Sequence, residues 1–180
     1  MPSEPLPPPR DPDLPYRVVL VCLGNICRSP IAQVVLRTAV ERAGLARQVG
    51  IDSSGTGDWH VGHPMDRRAA AALVGRGYDG SEHRAQQFTA RWFDEHDLFL
   101  AMDQSNYRDV CALAPDPETA RERVRLFRAF DPRAGEGDLE VPDPYYGGDE
   151  GFGQVLAIVE RTAEQLAEEL AELLAGPAPQ

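Results

Sequence analysis

The sequence has few cysteines and no long apolar run. Its three cysteines are an odd number, and the chain opens with neither a basic segment nor an apolar one. Neither a disulfide framework nor a secretory signal is therefore expected. No stretch of about 20 apolar residues occurs, so we expect no membrane span. Together these absences favour a cytoplasmic protein.

Positive charge is also scarce. The 18 Lys and Arg residues face 29 Asp and Glu residues, which gives a net charge of −11. Nucleic acid is not expected as a partner, because binding a phosphate backbone needs a basic surface. An anionic substrate would need a local electropositive pocket, and its encounter with the chain should be slow at low salt.

The first 15 residues differ in composition from the rest. They include seven prolines among charged and small residues. Such a segment can bury little apolar surface to offset the entropy of ordering it. We expect residues 1–15 to form a disordered, proline-rich tail and residues 16–176 to form one domain.

Beyond the tail, strand-like and helix-like segments alternate. Strands are predicted at 17–22, 49–53, 97–102 and 124–127, and helices at 29–43, 65–76, 89–96, 104–113 and 150–174. This order predicts an α/β fold, with a four-stranded parallel sheet and helices on both faces. The stretch 128–149 has little regular pattern, and loops of this length are usually functional.

The loop after the first strand carries the strongest chemical signal. Cys22 ends the strand, and a helix opens after Ser29. The free N–H groups of a helix N-terminus favour an anion and would favour Cys22 as thiolate. Arg28 can clamp two phosphate oxygens, while Gly24 and Asn25 tolerate the backbone angles that turn amides inward. The pattern predicts a phosphate-binding loop with a cysteine nucleophile; the alternative is a buried structural cysteine beside a surface arginine.

The other two cysteines have weaker signals. Cys27 is next to Arg28, with no loop between them that could enclose a phosphate, so it is a poor nucleophile. Two interpretations remain open: it traps an oxidised Cys22 as a disulfide, or it is a structural thiol. Cys111 lies in an apolar helical pattern and is expected in the core.

A general acid is predicted in the unpatterned stretch. Expelling a tyrosine phenolate, whose phenol has a pKa of about 10, is helped by a proton donor. Asp143 lies between Pro142 and Pro144, which fix its backbone, and Tyr145 and Tyr146 follow it. These tyrosines would wall a cleft suited to an aromatic substrate. The alternative is an ordinary Pro/Gly turn.

Together these motifs resemble the low-molecular-weight protein tyrosine phosphatase family, over residues 17–174. The matching runs are Val21-Cys22-Leu23-Gly24-Asn25-Ile26-Cys27-Arg28-Ser29-Pro30, Ala101-Met102-Asp103-Gln104-Ser105-Asn106 and Asp143-Pro144-Tyr145-Tyr146-Gly147. Residues 55–62 and 130–133 look most like its actinobacterial branch. The resemblance makes 16–176 a phosphatase domain whose phosphate-binding loop follows the first strand.

The resemblance implies catalytic roles for residues of these motifs. Cys22 attacks phosphorus, and Asp143 protonates the leaving oxygen and later activates water. Arg28 and the amides of the loop bind the phosphate oxygens; that loop comprises Leu23, Gly24, Asn25, Ile26, Cys27, Arg28 and Ser29. No metal or cofactor is implied. The substrates would be phosphotyrosine-containing proteins or small aryl phosphates.

The resemblance also implies supporting roles. Ser29 stabilises the departing thiolate, and Asn25 holds the loop shape with help from Ser53 and His83. The slot for the aromatic ring would be lined by Leu23, Trp59, Tyr145 and Tyr146. From the sequence alone, Trp59 could equally be a core aromatic, while His60 and His63 are expected to be ordinary loop residues.

Three other readings share part of this pattern. An arsenate reductase of the thioredoxin-coupled type needs two further cysteines, whereas only Cys111 lies downstream. Protein-arginine phosphatases typically have threonine in place of Ile26 and lack the Asp-Pro-Tyr-Tyr run. A non-catalytic phosphotyrosine-binding module would be expected to lack Cys22, Arg28 or Asp143.

Overall fold

The structure, a computed structural model, describes residues 4–176. Its sheet has four parallel strands in the order β2-β1-β3-β4. The strands are β1 (Tyr16–Cys22), β2 (Val49–Gly55), β3 (Leu98–Ala101) and β4 (Val124–Leu126). The predicted four-stranded parallel sheet is confirmed, and the strand that ends at Cys22 lies inside it.

Six α-helices surround the sheet within the described part of the chain. They are α1 (Arg28–Arg42), α2 (Arg67–Gly75), α3 (Trp92–Glu95), α4 (Gln104–Ala112), α5 (Pro117–Arg123) and α6 (Asp149–Leu174). A 3-10 turn at Phe127–Phe130 follows β4. None of the helices in residues 4–176 has the length and apolar character needed to cross a bilayer.

Both faces of the sheet are buried, which explains why its strands have apolar residues on both sides. Val18 and Leu20 of β1 join a large core with α1 and α6. Val19 and Val21 point the other way and pack with Phe99. This alternation follows from the two-residue period of a strand, and it confirms that helices cover both faces.

Two helices differ from the prediction. The helix expected over 89–96 is only the single turn α3. No helix was predicted at α5, although Asp116 caps it by accepting a hydrogen bond from the Thr119 amide at 2.7 Å, and Pro117 occupies the first turn. An Asp cap followed by Pro is a known start signal, but α5 is too short to show an apolar period.

The proline-rich segment differs most from expectation. Residues 1–3 lie outside the described residues, but residues 4–15, here called the N-terminal strap, pack on the domain instead of forming a disordered tail. Arg10 bonds to the buried Asp97 through its amide and its guanidinium, both at 2.6 Å. The Tyr16 hydroxyl donates to the carbonyl of Pro7 at 2.9 Å.

Two arginines near β4 complete these contacts. Arg123 donates to the carbonyl of Pro8 at 3.2 Å, and Arg125 donates to the carbonyls of Glu4 and Pro5 at 3.3 and 3.0 Å. Proline removes backbone donors but leaves every carbonyl free to accept. Composition reflects apolar burial alone, so it does not reveal order that depends on these polar contacts.

Candidate active site

The phosphate-binding loop (residues 23–29) follows Cys22, the last residue of β1, and runs into the start of α1. Asn25 is its turning point, with a φ of 57°, the one positive φ outside glycine in residues 4–176. Its side chain donates to Ser29 Oγ at 2.8 Å and Ser53 Oγ at 3.0 Å, and accepts from the Gln86 amide at 2.9 Å. Asn is one of the few residues that adopt left-handed backbone readily. Its three side-chain bonds tie the turn to α1, to β2 and to Gln86.

His83 supports the same turn from outside the loop. Its Nε2 lies 2.7 Å from the carbonyl oxygen of Asn25, which can only accept, so Nε2 carries the hydrogen. Burial lowers the pKa of His83, with Arg84 and Arg37 adding to the effect and the bond to Asn25 opposing it. A neutral His83 therefore donates to the loop at neutral pH. The structure brings together Asn25, Ser53 and His83, as the resemblance implied.

The Cys22 sulfur has two hydrogen-bond partners. It lies 2.9 Å from Ser29 Oγ and 3.3 Å from the amide of Asn25. Because Asn25 already donates to Ser29 Oγ, the hydroxyl hydrogen of Ser29 points either at the sulfur or at the carbonyl of Ser54, which lies 3.4 Å away. Both groups are placed to donate to the sulfur when it carries negative charge.

Cys27 has a different environment. It is buried, and burial raises its pKa, with Asp66 and Cys22 adding to the effect. The thiol of Cys27 therefore stays protonated, which agrees with its poor promise as a nucleophile. All three cysteines are free.

Arg28 is the first residue of α1, and only 3% of its surface is exposed. Its NH1 donates to Asp103 Oδ2 at 2.7 Å and to the carbonyl of Val141 at 3.1 Å, while NH2 lies 3.5 Å from Asp143 Oδ2. Burial alone would lower the pKa of Arg28, but Cys22, Asp103 and Asp143 together raise it. The buried guanidinium is therefore held charged.

Asp103 contacts the site through Arg28, and no sequence signal singled it out, although it lies in one of the matching runs. Its Oδ2 pairs with Arg28, and its Oδ1 accepts from the amide of Asn106 and so caps α4. One carboxylate thus fixes both a helix start and the orientation of Arg28.

Asp143 belongs to the segment 141–148, here called the acid loop. Val141 is buried, and its amide donates to the carbonyl of Met102 at 2.8 Å, which ties the start of the loop to the end of β3. The side chain of Asp143 is 41% exposed, with Oδ2 toward Arg28 and Oδ1 accepting from the Tyr145 amide at 3.1 Å. Its carboxyl therefore faces the phosphate-binding loop.

A cleft of about 300 Å³ lies between the two loops. It is lined by Cys22, Leu23, Gly24, Ile26, Cys27, Arg28, Trp59, His60, Asp143, Tyr145 and Tyr146. Trp59 is 66% exposed, which excludes the core-aromatic interpretation. Within residues 4–176, no group of three or more His, Cys, Asp or Glu side chains is placed to bind a metal ion.

Two glycines and one histidine shape this cleft in ways that the sequence did not reveal. A Cβ on Gly24 would lie 3.0 Å from Cδ2 of His60, so glycine lets that ring approach the loop. A Cβ on Gly55 would lie 2.7 Å from the carbonyl oxygen of Leu23 and 2.9 Å from the amide of Asn25. The backbone of the phosphate-binding loop therefore packs directly against Gly55, in space that a side chain would fill.

These groups together define a class of protein. A buried thiol and a guanidinium lie at one loop, and a carboxyl faces them across an aromatic-walled cleft. The parallel sheet presents them at the carboxyl end of a central strand, where ligands bind in open α/β folds. The site is that of a cysteine-dependent phosphatase.

Comparison with known proteins names the family. Residues 17–175 match the family model described as low molecular weight phosphotyrosine protein phosphatase. The low molecular weight protein-tyrosine-phosphatase of Streptomyces coelicolor is 47% identical over 163 residues, which is 91% of this chain and 98% of that protein. The chain belongs to this family and is a phosphotyrosine protein phosphatase.

More distant relatives agree. Low molecular weight protein-tyrosine phosphatase A of Mycobacterium tuberculosis is 40% identical, covering 92% of this chain and 98% of that protein. Among solved structures, a protein tyrosine phosphatase from Entamoeba histolytica superposes with a TM-score of 0.81 at 32% identity, covering 87% of this chain and 97% of that one. The fold is therefore common to relatives of quite different sequence.

Proposed function

We propose that Cys22 is the nucleophile, Arg28 the phosphate clamp and Asp143 the general acid of this phosphatase. The observation that carries the proposal is that the three side chains line one cleft. In the first step the Cys22 thiolate attacks phosphorus, and the bond from phosphorus to the aryl oxygen breaks. Asp143 gives its proton to that oxygen, so a neutral phenol leaves and phosphocysteine remains.

The second step regenerates the enzyme. Asp143, now a carboxylate, accepts a proton from a water molecule whose oxygen attacks phosphorus. The sulfur–phosphorus bond breaks, inorganic phosphate leaves, and Cys22 returns as thiolate. Ser29, 2.9 Å from the sulfur, is placed to donate to the thiolate as it departs.

Charge on the transferring phosphoryl group is stabilised by the loop and by Arg28. The amides of residues 23–29 would bind the equatorial oxygens together with the guanidinium, which burial keeps away from water. Donors fixed in this way need no reorganisation during the reaction. Asn25, with Ser53 and His83, keeps them in place.

The substrate class follows from the walls of the cleft. Leu23, Trp59, Tyr145 and Tyr146 offer apolar and aromatic surface on which a phenyl ring can pack. Phosphotyrosine in proteins, or a small aryl phosphate, fits this slot. A net charge of −11 argues against nucleic acid. We place the enzyme in the cytoplasm, where its three free thiols would stay reduced.

Cys27 adds a redox safeguard. Hydrogen peroxide would convert the Cys22 thiolate to a sulfenic acid. The Cys27 thiol loses its proton as its sulfur attacks the Cys22 sulfur, and the hydroxide that leaves takes up this proton and departs as water. The raised pKa of Cys27 makes this step slow. The resulting disulfide protects Cys22 from further oxidation until a thiol reductant restores both residues.

The decisive experiment compares phosphotyrosine, phosphoserine and phosphoarginine peptides, together with p-nitrophenyl phosphate. Wild type should prefer phosphotyrosine, and Cys22→Ser should lose all turnover while it keeps the circular dichroism spectrum of the wild type. A preference for phosphoarginine would overturn the proposed substrate class. Turnover by Cys22→Ser would overturn the assignment of the nucleophile.

A further inference from the structure

The acid loop has few anchors near its catalytic residue. Its own turn is closed by a bond from the Gly147 amide to the carbonyl of Pro144 at 3.1 Å. Within residues 4–176, the backbone of 143–147 receives hydrogen bonds from elsewhere in the chain only through Arg68. That residue donates to the carbonyl of Tyr145 at 2.8 Å and to the carbonyl of Gly147 at 3.1 Å.

Arg68 is itself held in a fixed orientation. Its Nε and NH2 donate to the two carboxylate oxygens of Asp66, each at 3.2 Å. Its guanidinium carbon lies 4.7 Å from the ring centre of Phe152 and 5.7 Å from that of Tyr145, within cation–π range. A carboxylate, two carbonyls and two rings therefore fix one guanidinium.

The other end of this connection is the phosphate-binding loop. The amide of Asp66 donates to the carbonyl of Ile26 at 2.9 Å, and the carboxylate of Asp66 caps α2 through the Arg68 amide. A continuous path of short contacts thus runs from Ile26 through Asp66 and Arg68 to the backbone beside Asp143. The path therefore links the backbone of the phosphate-binding loop to the backbone of the acid loop.

We propose that Arg68 is a positioning residue, which holds the acid loop so that the Asp143 carboxyl reaches the leaving oxygen. The inference rests on the proposed role of Asp143 and extends it. Arg68 does not line the cleft, so it acts through the loop and not on the substrate. Arginine suits this task because its planar fork donates to several acceptors at once, which a lysine ammonium cannot match in that geometry.

The test is the leaving-group dependence of kcat/KM, which reports the formation of phosphocysteine. Aryl phosphates would span phenols with a pKa from about 5 to about 10. For Arg68→Gln we expect a loss of about 10-fold to 100-fold with the poorest leaving groups and little loss with the best, because only the former need the proton. Inhibition by inorganic phosphate should be unchanged, since Cys22 and Arg28 are untouched.

Arg67→Gln is the matched control. It removes the same charge from the neighbouring position, whose exposed side chain makes no hydrogen bond or ion pair with the described part of the chain. It should behave as wild type with every substrate. Arg68→Lys keeps the charge without the fork and should fall between wild type and Arg68→Gln.

The outcomes separate this inference from the proposal on which it rests. If Asp143→Asn loses rate equally with good and poor leaving groups, Asp143 is not the acid and the proposed mechanism fails. If Asp143→Asn shows the steep dependence but Arg68→Gln matches Arg67→Gln, only the positioning role is refuted. Full activity in Arg68→Lys would also refute the positioning role, because positive charge alone would then explain the effect of Arg68. Weaker phosphate inhibition in both Arg68 variants would refute it too, because general damage to the phosphate-binding loop would then explain the loss.

Discussion

Replacing Arg10 by methionine tests whether the N-terminal strap is part of the folded domain. Asp97 is 1% exposed, and its carboxylate accepts from Arg10 NH1 and from the amides of Arg10 and Arg17, at 2.6 to 2.7 Å. Arg123 NH1 is the next cation, 4.0 Å away. Arg10→Met keeps the length and the amide but removes the nearest positive charge from a buried carboxylate.

The size of the effect can be estimated from this geometry. Removing one partner of a buried ion pair typically costs about 3–5 kcal/mol. Arg10 is 21% exposed and Arg123 remains nearby, so the loss should be smaller, about 2 kcal/mol. For a chain of this length, that lowers Tm by about 4–8 °C.

The assay is urea unfolding of wild type, Arg10→Met, Asp97→Asn and the double variant. Without the buried charge, the arginine should matter less, so in the Asp97→Asn background Arg10→Met should cost only about 0.5 kcal/mol. Arg47→Met is the control and should be neutral, because that exposed side chain makes no hydrogen bond or ion pair within residues 4–176. Catalytic constants at 25 °C should not change, because Asp97 precedes β3 and the cleft lies beyond its other end.

Two results would refute this reasoning. An Arg10→Met protein as stable as Arg47→Met would mean that the strap does not neutralise Asp97 in solution, and the disordered tail expected from composition would be right. Equal losses in the wild-type and Asp97→Asn backgrounds would mean that Arg10 contributes by packing and not by charge.

Three further predictions concern the site. Gly55→Ala should reduce kcat/KM for p-nitrophenyl phosphate about tenfold or more, because its Cβ would meet loop backbone at 2.7 and 2.9 Å; Gly135→Ala, with open space around it, should change nothing. Burial lowers the pKa of His83 in the folded chain, so as pH falls the unfolded chain binds a proton on this residue before the folded chain does. The free energy of unfolding therefore decreases as pH drops below about 6.5. His83→Gln should show a shallower loss between about pH 7 and pH 5, and an equal slope would contradict this. Cys27→Ser should recover less activity than wild type when peroxide treatment is followed by dithiothreitol, whereas equal recovery would remove its protective role toward Cys22.

The sequence was most informative where chemistry restricts residue type and spacing together. A cysteine at the end of a strand, an arginine six positions later and a proline-flanked aspartate can be read locally, and the structure brings Cys22, Arg28 and Asp143 to one cleft. The apolar alternation of the strands likewise predicted the sheet. Each of these patterns is contained in a short stretch of sequence.

Contacts to backbone atoms far away in sequence could not be read in this way. Gly55 matters because Leu23 and Asn25 rest on it, yet glycine has many other uses. Arg68 reaches 77 residues along the chain to the carbonyl of Tyr145. Neither residue has a local pattern that distinguishes it, so only the folded arrangement reveals what it does.

The choice of cation connects these features. The chain contains no lysine, so all 18 of its cationic side chains are arginines. A guanidinium offers five donors in a rigid fork, so one side chain can neutralise a carboxylate and satisfy backbone carbonyls at once. Arg68 does so at the acid loop, Arg28 does so beneath the phosphate site, and Arg125 bonds to strap carbonyls that proline leaves free. Segments with little apolar surface are thereby ordered by polar contacts, which is why a judgement based on hydrophobic burial alone underestimates how much of this chain is folded.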